Sequence, residues 1–289
     1  MKLISFGRPI LDVTIRFNPF ESYISIGGVE TNVAINTALL GKESILLGAV
    51  GSDILCEKLE KLACQIDKLR LGLQIIKEKE SGTIVVLIRE GNEIYRKFID
   101  YGASECFRVT SATQKQITEG EILFTSLFSA NTPTLSTKWK KIVQLAKGAS
   151  LRIAVSMAGV RTIEANKLPP LLKFIKDRAD FIFMNREEAE KVDPTIFTSS
   201  LVVITNEGGP AIAKLGEKKW SVSPARIQNT FRPYTIGAGD AFTAAFLVSY
   251  LQDGEIEKAM RYGHQIAALK LKLSTSHLIP EVLEREVKI

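Results

Sequence analysis

The 289-residue sequence predicts an α/β protein: a doubly wound, mostly parallel sheet flanked by helices, with a small antiparallel β lid. Three observations carry this prediction. Short apolar runs closed by polar or glycine positions alternate with helix-length segments over most of the chain, as in a sheet buried on both faces. Two separated pieces, about 13–26 and 69–100, interrupt that alternation with strands whose residues alternate apolar and polar, the signature of a sheet with one wet face. Finally, Gly237-Ala238-Gly239-Asp240 runs straight into an apolar segment ending at Leu251, so a glycine turn feeds the first turn of a buried helix.

Composition bounds the class. Hydrophobic residues at 45% and charged residues at 24% suit a packed core rather than a disordered chain. One domain spanning 1–289 is expected, because α/β folds reach this length as a single unit. The net charge of +6 is spread along the chain, and the lysines at 77–79 and 138–141 are interrupted, so no nucleic-acid arm is indicated. Cys56, Cys64 and Cys106 are odd in number and lack paired short spacings, which argues against a disulfide framework or a zinc site and fits a reducing cytoplasm. The first residues lack a signal-like apolar core, and no apolar run approaches the roughly 20 residues that span a bilayer, so no membrane partner is expected.

In chain order, residues 3–6 form an apolar run ending at Gly7, a buried first strand. Asp12 lies just beyond it, and ligands of open parallel sheets bind outside the carboxyl ends of strands, which makes Asp12 a site candidate; an aspartate in a turn is the plainer account. Residues 13–17 and 22–26 read as short strands around Asn18-Pro19. The glycine pair Gly27-Gly28 then opens a helix with Asn32 on its first turn and Gly41 past its end. Residues 45–49 are the next buried strand, and Ser52-Asp53 caps a helix reaching about Cys64. Residues 69–76, 82–89 and 93–99, with a hairpin turn at 90–92, join 13–26 in the lid. From Glu121 the regular alternation returns, with strands at 122–125, 152–155, 181–184 and 201–204 and helices at about 135–147 and 166–176. Asn185-Arg186-Glu187-Glu188 opens another helix at a strand end, where glutamates also complement a helix dipole. Strands at 211–215 and 219–222 lead to the glycine turn.

That turn carries the chemistry. Unpaired N–H groups and the dipole at a helix start suit an anion. A carboxylate beside them repels phosphate unless its task is to take a proton from the group attacking that phosphate. The bland alternative is a first-turn aspartate that complements the dipole. Other classes lack their residues. Gly41-Lys42-Glu43 has neither end of a Walker-type loop, and Phe242 stands where a dinucleotide fingerprint needs its third glycine. His264 and His277 form neither a metal spacing nor a triad.

Four pieces occur in the order, and over nearly the whole length, in which the chain resembles the ribokinase-like (PfkB) carbohydrate kinases. They are Gly27 to Asn32 with Leu40-Gly41, Gly48 to Asp53, Asn185 to Glu188, and Gly237 to Asp240. The resemblance implies a small-molecule kinase that moves the γ-phosphoryl of ATP, with Mg2+, to a hydroxyl of a sugar, polyol, nucleoside or sugar phosphate. It implies that Asp240 is the base and that the N–H groups of Gly237, Ala238 and Gly239 form the anion hole. Asp12, Gly27, Gly28 and Asn32 would hold the acceptor. Asn185 and Glu188 would organise Mg2+ through water. Asn185, Thr205 and Gly208 would meet the nucleotide, and His264 would lie beside the adenine, a helix-face histidine being the equal alternative. Arg8 at the end of the first strand, and Arg89 and Arg96 on the lid, would suit a phosphate already on the acceptor, although solvated surface arginines are commoner.

Departures from the family pattern qualify these expectations. Tyr234 replaces an aspartate associated with a monovalent-cation site, which puts potassium activation in doubt. Glu207 and Pro210 alter the loop after 201–204, Ser156-Met157-Ala158 replaces a polar stretch, and Val29 stands where ribokinases proper often carry lysine. The altered loop leaves room for a second reading, a non-catalytic nucleotide- or sugar-binding regulator on the same fold. An exposed edge of the lid invites pairing in a homodimer.

Overall fold

The computed structural model describes residues 1–17, 20–89, 92–132, 134–224 and 235–280. In chain order, β1 (Lys2–Phe6), β2 (Ile10–Phe17) and β3 (Glu21–Gly27) precede α1 (Val29–Leu39), and β4 (Glu43–Gly51), α2 (Ile54–Gln65), β5 (Leu69–Ile76), β6 (Ser81–Arg89) and β7 (Asn92–Gly102) follow. Next come α3 (Ser111–Thr118), β8 (Ile122–Ser126), the single turn α4 (Leu127–Ala130), α5 (Leu135–Gly148), β9 (Arg152–Ser156) and α6 (Leu168–Lys176). The chain continues with β10 (Phe181–Asn185), α7 (Arg186–Lys191), β11 (Leu201–Asn206), β12 (Gly209–Leu215), β13 (Lys218–Val222), α8 (Ala238–Asp253) and α9 (Ile256–Lys270).

Nine strands form the main sheet in the order β13-β12-β11-β10-β9-β8-β1-β4-β5. The seven from β11 to β5 are parallel, and β12 and β13 add an antiparallel edge. Successive side chains leave a strand on opposite faces, and here they enter different cores. Ile4, Ile182 and Met184 pack with Trp139 of α5 and Leu171 of α6. Leu3, Phe181 and Phe183 pack with Val33 of α1, Phe246 of α8 and Met260 of α9. The near-continuous apolar runs of the central strands thus follow from burial on both faces. In α8 nine successive residues, Ala241 to Ser249, are buried, as expected of a helix apolar all round.

The second sheet has the order β3-β2-β6-β7. It differs from expectation in two ways. Residues 69–76 are not part of it: they are β5, which pairs parallel with β4 from Ser44–Leu69 to Gly51–Ile76 at the edge of the main sheet. An edge strand is wet along one side, so it alternates just as a lid strand does. In addition, β2 and β6 pair parallel, between antiparallel β2–β3 and β6–β7 ladders. These two strands come from pieces separated by two β-α units, so no hairpin imposes an antiparallel direction. Asp53 ties this sheet to the main body: as N-cap of α2 its carboxylate accepts from Leu55 N–H at 3.0 Å, and it also accepts from Ser81 Oγ, the first residue of β6, at 2.9 Å. The turn at 90–91 lies outside the described residues.

Candidate active site

The first turn of α8 is built on Gly237, its N-cap, at φ 81°. A side chain there would be strained and would run into the Ser276 carbonyl. Asp240 is the third residue of the helix and half-buried. Its Oδ2 accepts a hydrogen bond from Asn32 Nδ2 at 2.8 Å, which joins the first turn of α8 to that of α1. Asn32 is only 3% exposed, and its amide oxygen has no partner among the described residues. A buried acceptor left unpaired is costly, and a substrate hydroxyl would satisfy it.

Gly239 differs from Gly237. It is exposed, has no positive φ, and a Cβ built on it would meet nothing within 4 Å. Alanine in a helix is favoured over glycine by about 1 kcal/mol. Glycine is therefore retained here at a cost in helix stability with no steric demand from the protein itself. The space before the helix is open to a ligand, and the N–H of Gly239 has no intrahelical partner. Of the three N–H groups expected to form an anion hole, that of Ala238 donates to the Thr235 carbonyl at 3.1 Å.

Asp12 does not sit in a turn. It lies within β2, opposite Ser25 of β3, and is 5% exposed. Its Oδ2 accepts from Ser276 Oγ at 2.9 Å. Any Cβ on Gly27 would occupy the place of the Asp12 carboxylate, so glycine at 27 is required by close approach. Ser276 is thus shared: its hydroxyl holds Asp12 and its carbonyl underlies Gly237. Gly28 is the N-cap of α1.

Asn185 and Glu188 form a capping box at the start of α7: Glu188 N–H donates to Asn185 Oδ1 at 2.8 Å, and Asn185 N–H donates to Glu188 Oε2 at 2.9 Å. The pair also stands at the carboxyl end of β10, with Thr205 of β11 directly opposite Asn185 in the ladder. Thr205 Oγ1 lies 3.5 Å from the Met184 carbonyl. Beyond it Glu207 takes φ 34° in the turn that contains Gly208. No group of three His, Cys, Asp or Glu side chains poised for a metal occurs among the described residues.

His264 is 8% exposed, with Nε2 3.1 Å from the Val222 carbonyl and its ring edge-on to Phe242 at 5.3 Å. This is the placement of a packed helix-face histidine. Burial lowers its pKa, and burial lowers that of His277 as well. Arg8 is 2% exposed, donates to the Phe128 carbonyl, and lies 4.0 Å from the Phe128 ring and 5.1 Å from the Tyr101 ring. Burial pushes its pKa down to about 10 against the pull of Glu30. Glu30 is fully enclosed and accepts from Ser126 Oγ at 2.5 Å; burial raises its pKa. Arg96 belongs to β7, paired with Val86, and Tyr234 lies outside the described residues.

Two site residues escape the sequence reading. Ser276 sits in an unremarkable Ser-Thr-Ser-His run far from Asp12 in the chain. Lys270, the last residue of α9, is wholly buried and interacts electrostatically with Asp240. Its only signal in the sequence is a charge on the fourth residue after an apolar Ile266, where the helix face is inward.

A carboxylate thus stands on the first turn of a buried helix, beside an open glycine and a buried amide. The sequence profile of the pfkB family carbohydrate kinases matches residues 20–279, and the chain belongs to that family. Among curated proteins it is 24% identical to a 5-dehydro-2-deoxygluconokinase of Lacticaseibacillus casei, covering 97% of this chain and 93% of that protein. A 5-dehydro-2-deoxygluconokinase of Listeria monocytogenes is likewise 24% identical, with coverage of 96% and 92%. Among solved structures, a fructokinase with bound ATP from Xylella fastidiosa superposes with a TM-score of 0.84 at 18% identity, covering 98% of this chain and 97% of that one. An adenosine kinase from Sinorhizobium meliloti gives 0.83 at 16% identity, with the same coverage. No described helix is long and apolar enough to cross a membrane.

Proposed function

We propose that this carbohydrate kinase transfers the γ-phosphoryl group of ATP to a hydroxyl of a sugar, polyol or related polyhydroxylated acceptor, with Asp240 as the base. The observation that carries the reading is the pairing of Asp240 with Gly239: a carboxylate where anions are otherwise favoured, next to space that the protein leaves empty. The acceptor hydroxyl donates to Asp240, and Asp12 and Asn32 hold neighbouring hydroxyls. A loose phosphoryl-transfer transition state asks for little deprotonation before the new bond forms, so a carboxylate suffices as the base. The N–H groups of Gly237 and Gly239 and the α8 dipole face the charge on the transferred group.

Thr205 and the Gly208 turn line the nucleotide side. Glu188 and Asn185 would organise Mg2+ through water; the ion neutralises phosphate charge, and Mg2+ commonly takes only one or two protein carboxylates beside phosphates and water. His264 supports this region through Phe242. The four-stranded sheet acts as a lid that excludes water from the transfer. Ile24 on β3 is 50% exposed and Tyr95 on β7 is 46% exposed, one on each edge of that sheet. These edges suit a homodimer, which sedimentation would reveal as a mass of two chains.

Incubation with γ-labelled ATP and a panel containing 5-dehydro-2-deoxygluconate, fructose, inositol, adenosine and sugar phosphates tests the reading. Label in one acceptor supports it. Binding without transfer to any acceptor would identify a non-catalytic regulator instead.

A further inference from the structure

Arginine is almost never fully buried unless paired, yet Arg8, two residues past the end of β1, is enclosed. Its guanidinium donates to the Phe128 carbonyl on α4 and lies over two rings, that of Phe128 at 4.0 Å and that of Tyr101 on β7 at 5.1 Å. Phe128 in turn packs on Ile10, Ile84, Val86 and Ile88, the buried cluster that β2 and β6 contribute. Arg8 thus meets the four-stranded sheet twice, directly at Tyr101 and through Phe128. Ile236, the residue before Gly237, packs on the same cluster, so the sheet rests on both ends of the candidate site.

The segment Gly7-Arg8 also abuts the start of α1. The Arg8 carbonyl stands where a Cβ on Gly28 would be, and the Glu30 carboxylate stands where a Cβ on Gly7 would be. Glu30 is fixed to the body, since its Oε1 accepts from Ser126 Oγ at 2.5 Å and its carbonyl accepts from Ser5 Oγ at 2.7 Å. Asn32, which holds Asp240, follows two residues later in the same turn of α1. An apolar residue is usually as stable as a buried charge pair, or more so, and packing alone gives no reason for a guanidinium here. A planar fork that stacks on rings while it holds a carbonyl does give one.

We propose that Arg8 is a positioning residue that couples the four-stranded sheet to the acceptor end of the transfer site: by holding Phe128 and Tyr101 it keeps the sheet over the site and the first turn of α1 in place, with Asn32 on Asp240. The role rests on the kinase reading above. Loss of that grip has two consequences. Asn32 no longer aims Asp240, and a misplacement of about 1 Å can cost about 100-fold in rate. Water also reaches the transferred group. Its oxygen then bonds to the γ-phosphorus in place of the acceptor hydroxyl while the bond to the β-phosphate oxygen breaks, which releases ADP, inorganic phosphate and a proton.

The test compares the wild type with Arg8→Met, Arg8→Lys and the double variant Arg8→Met/Glu30→Gln. It measures transfer to the acceptor identified in the panel, release of inorganic phosphate in the presence of that acceptor, thermal unfolding, and amide hydrogen exchange. Arg8→Met leaves Glu30 buried without its opposite charge and is expected to unfold at a lower temperature. The double variant removes both charges, and its unfolding temperature returns toward that of the wild type. Its transfer kcat is nonetheless expected at least about tenfold below wild type, with the ratio of phosphate release to transfer raised at least about fivefold. Its amides exchange faster both in β6 and β7 and in the first turn of α1. Arg8→Lys keeps the charge but loses the fork, and it shows the same raised ratio. Wild-type transfer and ratio in a stable double variant would overturn the role while leaving the kinase reading intact. So would a loss of transfer that follows unfolding temperature with the ratio unchanged, since that describes packing alone. If the double variant does not fold, a wild-type ratio in Arg8→Lys overturns the role. Absence of transfer by the wild type to every acceptor would overturn the kinase reading, and this role with it.

Discussion

Asn32 and Asp240, separated by 208 residues in the chain, meet at 2.8 Å, with the amide of one donating to the carboxylate of the other. The contact closes the site between the starts of α1 and α8, both on the same face of the main sheet. A hydrogen bond to a charged group contributes about 1.5–3 kcal/mol. Asn32→Ala is therefore expected to lower kcat/KM by about 10- to 100-fold. Steady-state kinetics with the acceptor identified in the panel check this, and a change below threefold would show that Asp240 is held without Asn32.

Gly237 and Gly239 respond differently to alanine. Gly237→Ala forces φ 81° on a residue with a Cβ and pushes it against the Ser276 carbonyl, so it destabilises by more than about 1 kcal/mol. Gly239→Ala meets nothing within 4 Å and gains helix propensity, so its unfolding midpoint holds or rises while transfer falls. Denaturant unfolding and turnover of both variants separate the structural glycine from the ligand-facing one.

Ser276→Ala removes the hydroxyl that holds Asp12 but leaves the carbonyl beneath Gly237. KM for the acceptor is expected to rise about fivefold, the equivalent of roughly 1 kcal/mol for one hydrogen bond. KM for ATP should stay near its wild-type value. A reversed pattern would move Asp12 out of the acceptor site.

Both histidines titrate low for the same reason, burial. Their folded pKa values lie below the unfolded value of about 6.5, so the unfolded chain binds more protons in that interval. The stability they contribute is present above pH 6.5 and is lost as pH falls through the folded values. With two histidines in the chain, imidazole resonances are assignable by single substitution. Both midpoints are expected below 6.5, and a midpoint above it would contradict the packing described for that ring.

Much of the fold is legible because the central strands are buried on both faces and the helices between them carry readable starts and stops. Asp53 caps α2, and Gly41 follows α1 in a left-handed conformation, as their residue types suggest. β5 misleads for a physical reason, since an edge strand of the main sheet and a strand of a one-sided sheet present the same alternation. The capping box of Asn185 and Glu188 shows the opposite difficulty: the same residues satisfy a helix start and suit a cation site, and spacing alone does not choose between them. At His264 the packed placement matches the bland account of that residue. Ser276 is invisible in the sequence because its meaning lies in contacts with Asp12 and Gly237, which only the closed fold creates.

The most direct measurement is ATP-dependent phosphorylation of the acceptor panel by the wild type and by Asp240→Asn, with unfolding curves for both. The wild type is expected to label an acceptor, and the folded variant to lose at least about 100-fold in turnover, the lower end of a general-base effect. Near-normal transfer by folded Asp240→Asn would remove Asp240 from the chemistry and contradict the account of the site.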